Sequence, residues 1–149
     1  MNKIVKVKSN KKLLSFNRFG KENGCVIPII DINESFLTKD RFPHQVYLTI
    51  VSPGEIKGPH LHKKRYAMYT CIRGNIKIVV KINDSYEYFY SGEDYDYATI
   101  WVEKGIPTAI INLEKEKESF IINTPNSSYQ ECPDDDYDIY FEPDVLILS

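Results

Sequence analysis

The sequence is poor in cysteine, has no long apolar run and carries almost no excess of one charge sign. Its three cysteines, Cys25, Cys71 and Cys132, are widely spaced and form no Cys-x-x-Cys motif, which is typical of reduced thiols in a cytoplasmic protein. A formal net charge of -2 over 149 residues gives no basic field for nucleic acid and no polybasic membrane patch. No run reaches the roughly 20 apolar residues that span a bilayer, and the basic segment 1–12 lacks the apolar core of a secretory signal. We therefore expect a cytoplasmic protein whose partners are neither nucleic acid nor membrane.

Short β-rich segments alternate with turn signals along the chain, although glycine and proline are few, at seven and eight residues. This alternation favours a sandwich or a barrel. No long amphipathic helix is visible, although 33–39 is a candidate for a short one, and Lys21–Gly24 is a candidate turn. The predicted strands are Lys3–Lys8, Leu13–Phe19, Cys25–Asp31, Val46–Ser52, Gly58–His62, Tyr66–Arg73, Ile76–Ile82, Tyr86–Tyr90, Thr99–Val102, Thr108–Asn112 and Ser119–Asn123.

Only three histidines are present, and two of them, His60 and His62, stand one residue apart. On a β-strand both side chains point to the same face, because side-chain direction repeats every two residues. The pair lies in an ordered pattern of Gly54, five residues, His-x-His, four residues, Ala67, six residues and Gly74. An isolated His-x-His is more simply structural, but this glycine spacing favours a functional site. Adjacent imidazoles resist double protonation, so we expect one of them to stay neutral near pH 7 and to be available as a base.

The pattern around the histidines resembles the first signature of the cupin superfamily, and 103–112 resembles the second. Ala67 stands where cupins carry a metal-binding glutamate, and Thr108 stands where they carry the last metal-binding histidine. Two imidazoles without a third protein ligand make a poor catalytic zinc or iron site, so we expect no metal and no other cofactor. The resemblance implies an all-β cupin fold, an antiparallel β-barrel or jelly roll with little helix.

The length of 149 residues favours one domain over 1–149, and the cupin resemblance covers about 20–140, with a barrel core at about 20–124. The segment 125–149 is acidic and rich in tyrosine. Two interpretations of this C-terminal segment are open. It lies over the barrel or its mouth, or it is a surface segment without a functional role.

Tyr69 is a third candidate catalytic residue beside His60 and His62. In the cupin register, Tyr69 points inward together with Ala67, Cys71 and Arg73. Because alanine replaces the usual glutamate, Tyr69 has room to approach the histidines as a hydrogen-bond donor or general acid. The alternative is that Tyr69 fills the core and places its hydroxyl at the rim.

Further polar side chains are candidates for substrate binding. Gln45, Tyr47 and Thr49 alternate with apolar residues, which favours a strand with a polar face on a cavity, although such a face can also point to solvent. Basic residues near the histidines would hold a phosphate-bearing substrate by charge-assisted hydrogen bonds, although a charge run is more often a solvated face. The basic candidates are Lys57, Lys63, Arg65 and Arg73.

Within the cupins, 45–82 is similar to the dTDP-4-dehydrorhamnose 3,5-epimerases and their smaller relatives. Lys57-Gly58-Pro59-His60 stands where those enzymes carry Arg-Gly-Leu-His, so the resemblance makes His60 the counterpart of their catalytic base. Asn123-Thr124-Pro125 followed by Tyr129 resembles the segment with their catalytic tyrosine, and Asn123 occupies the tyrosine position. Asn123 and Tyr129 therefore join the candidate substrate-binding residues.

The histidine pair followed by Lys63 is similar to the dTDP-sugar 3,4-ketoisomerases, which also lack the histidine that Thr108 replaces. Both groups remove a proton next to a ketone and stabilise the enolate until it is reprotonated. The resemblance implies a metal-independent isomerase of a dTDP-4-keto-6-deoxyhexose, most simply a 3,5-epimerase. A 3,4-ketoisomerase and a non-catalytic cupin that binds a sugar nucleotide are the alternatives. A homodimer, a nucleotide-linked deoxysugar as substrate, and a place in polysaccharide or lipopolysaccharide biosynthesis are implied as well.

Overall fold

Antiparallel strands build almost all of the structure. The computed structural model describes residues 4–34, 37–128 and 130–147. Two 3-10 turns, Lys39–Arg41 and Pro143–Leu146, are the helical elements within these ranges. The strands are β1 (Val5–Lys8), β2 (Leu13–Phe16), β3 (Glu22–Val26), β4 (Tyr47–Val51), β5 (Ile56–Leu61), β6 (Ala67–Arg73), β7 (Asn75–Ile82), β8 (Ser85–Gly92), β9 (Thr99–Val102), β10 (Thr108–Asn112), β11 (Ser119–Asn123) and β12 (Tyr137–Asp138).

The strands form two five-stranded sheets and one separate hairpin. The first sheet has the order β1-β9-β6-β11-β4, and the second has the order β12-β5-β10-β7-β8. In the described part of the chain, β2 and β3 pair only with each other. No described strand belongs to both sheets, so the architecture is an antiparallel jelly-roll sandwich and not a barrel closed by hydrogen bonds.

Alternate residues of the two sheets point towards each other and form the main core. Cys71 on β6 and Ile76, Ile78 and Val80 on β7 are all 0% exposed. Each isoleucine or valine buried in this way stabilises the fold by about 1.5–3 kcal/mol relative to an exposed one. The other buried members of this cluster are Val51, Ala67, Tyr69, Ile100, Val102, Ile110 and Ile121.

The outer face of the second sheet is covered by the C-terminal segment. Phe141 and Val145 are buried there against a patch of three apolar side chains. The patch consists of Val79, Ala109 and Ile111. Of the two interpretations of this segment, the structure therefore confirms the one that places it over the core of the fold. The outer face of the first sheet has its own cover, in which Leu37 packs against Met68 and Trp101.

The predicted all-β, antiparallel fold with little helix is confirmed, but the start of the chain differs in detail. Lys21–Gly24 is not a turn, because β3 begins at Glu22. The hairpin instead turns at Asn17–Gly20, where the side-chain oxygen of Asn17 accepts the backbone N–H groups of Phe19 and Lys21. This is the local hydrogen bonding that favours asparagine in turns.

The short helix predicted at 33–39 is also wrong at 33–34 and 37–38, and of the described residues of that segment only Lys39 is helical. The 3-10 turn begins only at Lys39. Within the described ranges, no helix combines the length and apolar character needed to cross a membrane.

Candidate active site

The two sheets separate at one end of the core and leave a cavity of about 170 Å³. Strands of both sheets, the loop after β5 and the C-terminal segment contribute side chains to it. The lining residues are Tyr47, Thr49, Lys57, His60, His62, Arg65, Tyr69, Thr108, Ile110, Asn123 and Asp136.

One wall of the cavity comes from three neighbouring strands of the first sheet. Asn123 on β11 pairs with Tyr47 on β4 and with Tyr69 on β6, so the three side chains form a row across the sheet. The side-chain amide of Asn123 donates to the hydroxyl oxygen of Tyr47 at 2.6 Å. This wall presents phenol and amide groups, which can hold oxygens of a ligand by hydrogen bonds.

The opposite wall comes from the second sheet. His60 on β5 pairs with Thr108 on β10, and the Thr108 hydroxyl donates to the carbonyl of Ile106 at 3.0 Å. Gly58 allows the two strands to approach here: it has a φ of 90°, and a Cβ at this position would lie 2.9 Å from both His60 N and Thr108 O. A residue with a side chain cannot occupy that space without moving the backbone of His60 or Thr108.

Two carboxylates of the C-terminal segment lie beside the ring of His60. Nδ1 is 3.0 Å from Oδ1 of Asp136 and 3.8 Å from Oδ1 of Asp138. The geometry lacks the direction of a hydrogen bond, so the contact acts through charge. When the ring takes up a proton, a carboxylate at this distance stabilises the imidazolium that forms.

His62 has a different environment. Its Nδ1 donates to the backbone carbonyl of Asp135 at 2.5 Å. Burial lowers the pKa of His62 from its ordinary value and the charge of Arg65 lowers it further, while the hydrogen bond to Asp135 acts in the opposite direction. The expectation that one imidazole stays neutral is supported for His62, but burial is the main cause and not repulsion between the two rings, whose centroids are 6.5 Å apart.

The arrangement combines two imidazoles on one side of a small cavity with hydroxyl groups on the other. His60, backed by a carboxylate, is suited to accept a proton from carbon. The neutral His62 is suited to accept a proton from a ligand hydroxyl, and the phenol of Tyr69 to donate a hydrogen bond to a developing oxyanion.

Most of the candidate residues predicted from the sequence lie on this cavity. His60, His62 and Tyr69 are there, together with the substrate-binding candidates Tyr47, Lys57, Arg65 and Asn123. Tyr129 lies outside the described residues.

Three further substrate-binding candidates do not line the cavity. Gln45 precedes β4, the ammonium of Lys63 lies 4.3 Å from the ring centroid of Tyr137, and the guanidinium of Arg73 lies 5.2 Å from that of Phe120. We therefore leave these three out of the proposed substrate site.

Sequence reasoning missed Asp135 and Asp136. Both belong to a run of three aspartates, which looks like a solvated charge run. The unusual signal is that Asp135 is only 2% exposed, and burial of one residue in such a run cannot be read from its composition.

The donor set offers little to a metal ion. Ala67 packs in the apolar core, and Thr108 presents a hydroxyl where cupins have an imidazole. Across the described ranges, no three or more histidine, cysteine, aspartate or glutamate side chains are grouped so that they could hold a metal.

A second and larger hollow of about 470 Å³ lies elsewhere, near Asn10 and Tyr97. It is lined by lysine, serine, asparagine and carboxylate side chains but by no histidine. It therefore lacks the neutral base that the smaller cavity has.

Comparison with known proteins identifies a family whose model matches the chain. The family model described as FdtA, WxcM-like, C-terminal matches residues 9–142. No curated protein sequence matches the chain significantly.

Solved structures of similar fold include proteins described as a dTDP sugar isomerase, a sugar 3,4-ketoisomerase and a 3'-monoepimerase. A dTDP sugar isomerase from Desulfovibrio desulfuricans G20 has a TM-score of 0.76 at 11% identity, covering 97% of this chain and 89% of that one. QdtA, a sugar 3,4-ketoisomerase from Thermoanaerobacterium thermosaccharolyticum solved with TDP, has a TM-score of 0.68 at 18% identity, covering 94% and 91%. ChmJ, a 3'-monoepimerase from Streptomyces bikiniensis solved with dTDP-quinovose, has a TM-score of 0.72 at 14% identity, covering 97% and 74%. At these identities the likeness concerns the fold.

The low pKa of His62 leads to a first prediction. In an NMR titration of the free protein we expect the ring to titrate below its ordinary value of 6.5, because burial and Arg65 disfavour the charged form. Arg65→Met removes the charge and keeps an apolar stem, so it should move the midpoint upwards. In the unfolded chain His62 has its ordinary pKa, so it binds a proton more tightly there than in the folded protein. As the pH drops below 6.5, His62 therefore lowers the free energy of unfolding.

The control for this titration is Arg18→Met, which removes a cation next to Phe19 on the hairpin and should leave the midpoint of His62 unchanged. A wild-type midpoint at or above 6.5 would show that the ring is not buried as described.

A second prediction concerns Gly58. Alanine at a positive φ costs about 1–2 kcal/mol, and at Gly58 the two backbone contacts at 2.9 Å add a further 1–3 kcal/mol or so of overpacking. Gly20→Ala is a matched control, because Gly20 has a φ of 80° with no atom within 4 Å of the added Cβ. In urea denaturation, Gly58→Ala should therefore lower the free energy of unfolding clearly more than Gly20→Ala. Equal losses would mean that β5 and β10 do not approach each other this closely.

Proposed function

The chain belongs to the FdtA, WxcM-like, C-terminal family, and on this premise we propose that it isomerises a dTDP-4-keto-6-deoxyhexose by moving a proton next to the ketone. The observation that carries the proposal is the pair of imidazoles on one wall of the cavity, opposite the row of Tyr47, Asn123 and Tyr69. Solved proteins of the same fold that are described as sugar ketoisomerases and epimerases support the substrate class.

The size of the cavity supports a ligand that enters only in part. Pockets that enclose whole drug-sized ligands have volumes of about 300–1,000 Å³, whereas this one has about 170 Å³. A single hexose ring is the part that enters, and the nucleotide lies outside. Lys57 and Arg65 line the cavity and supply positive charge for the diphosphate.

The reaction needs one base for carbon and groups that exchange protons with oxygen. His60 removes the proton from carbon 3, and the electron pair moves to the oxygen of carbon 4, which Tyr69 protonates. His62 removes the proton of the carbon 3 hydroxyl, and His60 returns its proton to carbon 4. Proton exchange with solvent then restores His62 and Tyr69, so the product is the 3-keto isomer of the substrate.

Between the two reactions that the sequence suggests, the geometry favours the 3,4-ketoisomerase. Moving a proton between neighbouring carbons uses two acid-base groups on one side of the ring, and His60 and His62 are such a pair. Inversion of carbon requires an acid on the opposite face, and Asn123, at the position of the epimerase tyrosine, cannot supply a proton. The 3,5-epimerase stays a second candidate because Tyr69 lies across the cavity from His60.

Proton NMR with dTDP-4-keto-6-deoxyglucose in deuterium oxide tests the proposal. We expect a new 3-keto species, with deuterium at carbon 4 where the proton held by His60 exchanges with solvent before its return, and we expect His60→Asn to reduce the rate by at least about 100-fold because the base is lost. Nucleotide affinity should stay within a few-fold, since the base acts mainly in the transition state.

The other outcomes are equally informative. Deuterium at carbon 3 or carbon 5 with the 4-ketone retained would identify the epimerase instead. Binding without exchange at any carbon would replace the enzyme by a non-catalytic sugar-nucleotide-binding protein. The rate should be unchanged by a chelator, and a loss that added metal restores would contradict metal-independent catalysis.

A homodimer is part of the proposal and is supported by exposed apolar surface. The β2–β3 hairpin stands apart from both sheets, and an isolated hairpin is at best marginally stable in water. Its exposed apolar side chains are Leu13, Leu14, Phe16, Phe19 and Val26. The edge strand β4 adds exposed Leu48 and Ile50 on its outer face. Exposed apolar side chains on a hairpin and on an edge strand support an interface, and a second copy of the chain would cover them.

Light scattering on a size-exclusion column tests this arrangement. The wild type should have the mass of two chains. The double variant Leu14→Lys, Phe16→Lys should have a mass closer to that of one chain. Lys115→Glu, in the loop between β10 and β11, should change nothing. A wild-type mass of one chain at micromolar concentration would contradict the dimer.

A further inference from the structure

Asp135 is the buried member of the acidic run at 134–136. It is 2% exposed, while both neighbouring aspartates are exposed. A buried carboxylate is costly unless its oxygens accept hydrogen bonds, so the contacts of Asp135 show what its burial achieves.

The carboxylate of Asp135 binds three consecutive backbone amides just after His62. Oδ1 accepts from Lys63 N at 2.8 Å, and Oδ2 accepts from Lys64 N at 3.0 Å and from Arg65 N at 3.2 Å. These bonds join the C-terminal segment to the loop that follows β5. The carboxylate of Asp135 makes no hydrogen bond to the His62 ring, and its charge is a smaller influence that raises the pKa of the ring.

The ring is held by the main chain of the same residue. The carbonyl of Asp135 lies 2.5 Å from Nδ1 of His62, and because a carbonyl can only accept, Nδ1 must carry the proton. On the other side of the ring, Nη2 of Arg65 lies 3.5 Å from Nε2. An arginine can only donate, so this long contact agrees with a lone pair on Nε2.

We propose that Asp135 is the positioning residue of the site: its carboxylate fixes the loop 63–65, its carbonyl fixes the Nδ1–H tautomer of His62, and Nε2 is thereby kept ready to accept a proton from a substrate hydroxyl. The last step rests on the proposed function. The tautomer does not, because it follows from the contacts within the protein.

The experiment reads the tautomer directly, by long-range proton–nitrogen NMR of the ¹⁵N-labelled protein above the pKa of His62. The wild type should have the proton on Nδ1. Asp135→Ala removes the three amide contacts and should release the loop, so that His62 populates both tautomers and kcat falls about tenfold, in proportion to the competent fraction. KM should rise less than kcat falls, since Lys57 on β5 is untouched and only Arg65 lies on the released loop.

Two variants make the test specific. Asp134→Ala removes the neighbouring exposed carboxylate and should leave tautomer and kcat unchanged. Asp135→Asn keeps a side-chain oxygen that can accept from the loop, and should keep the Nδ1–H tautomer with an intermediate kcat.

A wild-type proton on Nε2 would overturn the proposal, as would a folded Asp135→Ala protein with the wild-type tautomer. If Asp135→Ala does not fold, the wild type and Asp135→Asn decide in its place, and Nε2–H in either protein would overturn the proposal. A further outcome separates the two proposals. If the wild type has the proton on Nδ1 and Asp135→Ala redistributes it, but the wild type turns over no sugar nucleotide, Asp135 keeps its positioning role and only the proposed function is contradicted.

Discussion

The two sheets can pack only where every second residue of their facing strands is apolar, and this constraint determines where the site lies. Over most of the interface the inward positions are apolar, as at Ile121 on β11 and Ile110 on β10. Two residues further towards one end, the inward positions become Asn123 and Thr108. The cavity lies where apolar packing stops, and the same strand period that builds the core also aims the polar side chains into the site.

Much of this could be predicted from the sequence because the signals are local. Strand period and turn residues predicted the bounds of β9, β10 and β11 as they stand in the structure. The family model shows that the chain belongs to the FdtA, WxcM-like, C-terminal family, and solved sugar isomerases share the fold that the motif around His60 and His62 implied. The cytoplasmic location, the single-domain organisation and the absence of a metal cofactor stay predictions, because no feature of the structure tests them.

What the sequence could not predict is the pairing of residues that are far apart in the chain. Asp135 and His62 are 73 residues apart, and no local periodicity connects them. The sequence also suggested mutual repulsion of the imidazoles as the reason why one stays neutral, whereas burial of His62 is the larger cause. Burial depends on which segment covers the cavity mouth, and that is a property of the whole fold.

The C-terminal segment links the site to the outer packing of the protein. Phe141 and Val145 hold this segment on the outer face of the second sheet, and β12 pairs with β5 at Leu61 and His60. Asp135 and Asp136, which contact the two histidines, lie just before β12 and depend on the same anchor. A two-residue strand is a weak attachment by itself, so the burial of Phe141 and Val145 and the three hydrogen bonds of the Asp135 carboxylate together keep the segment in place. Because Asp135 and Asp136 share this anchor, any displacement of the segment would remove the partners of both imidazoles at once.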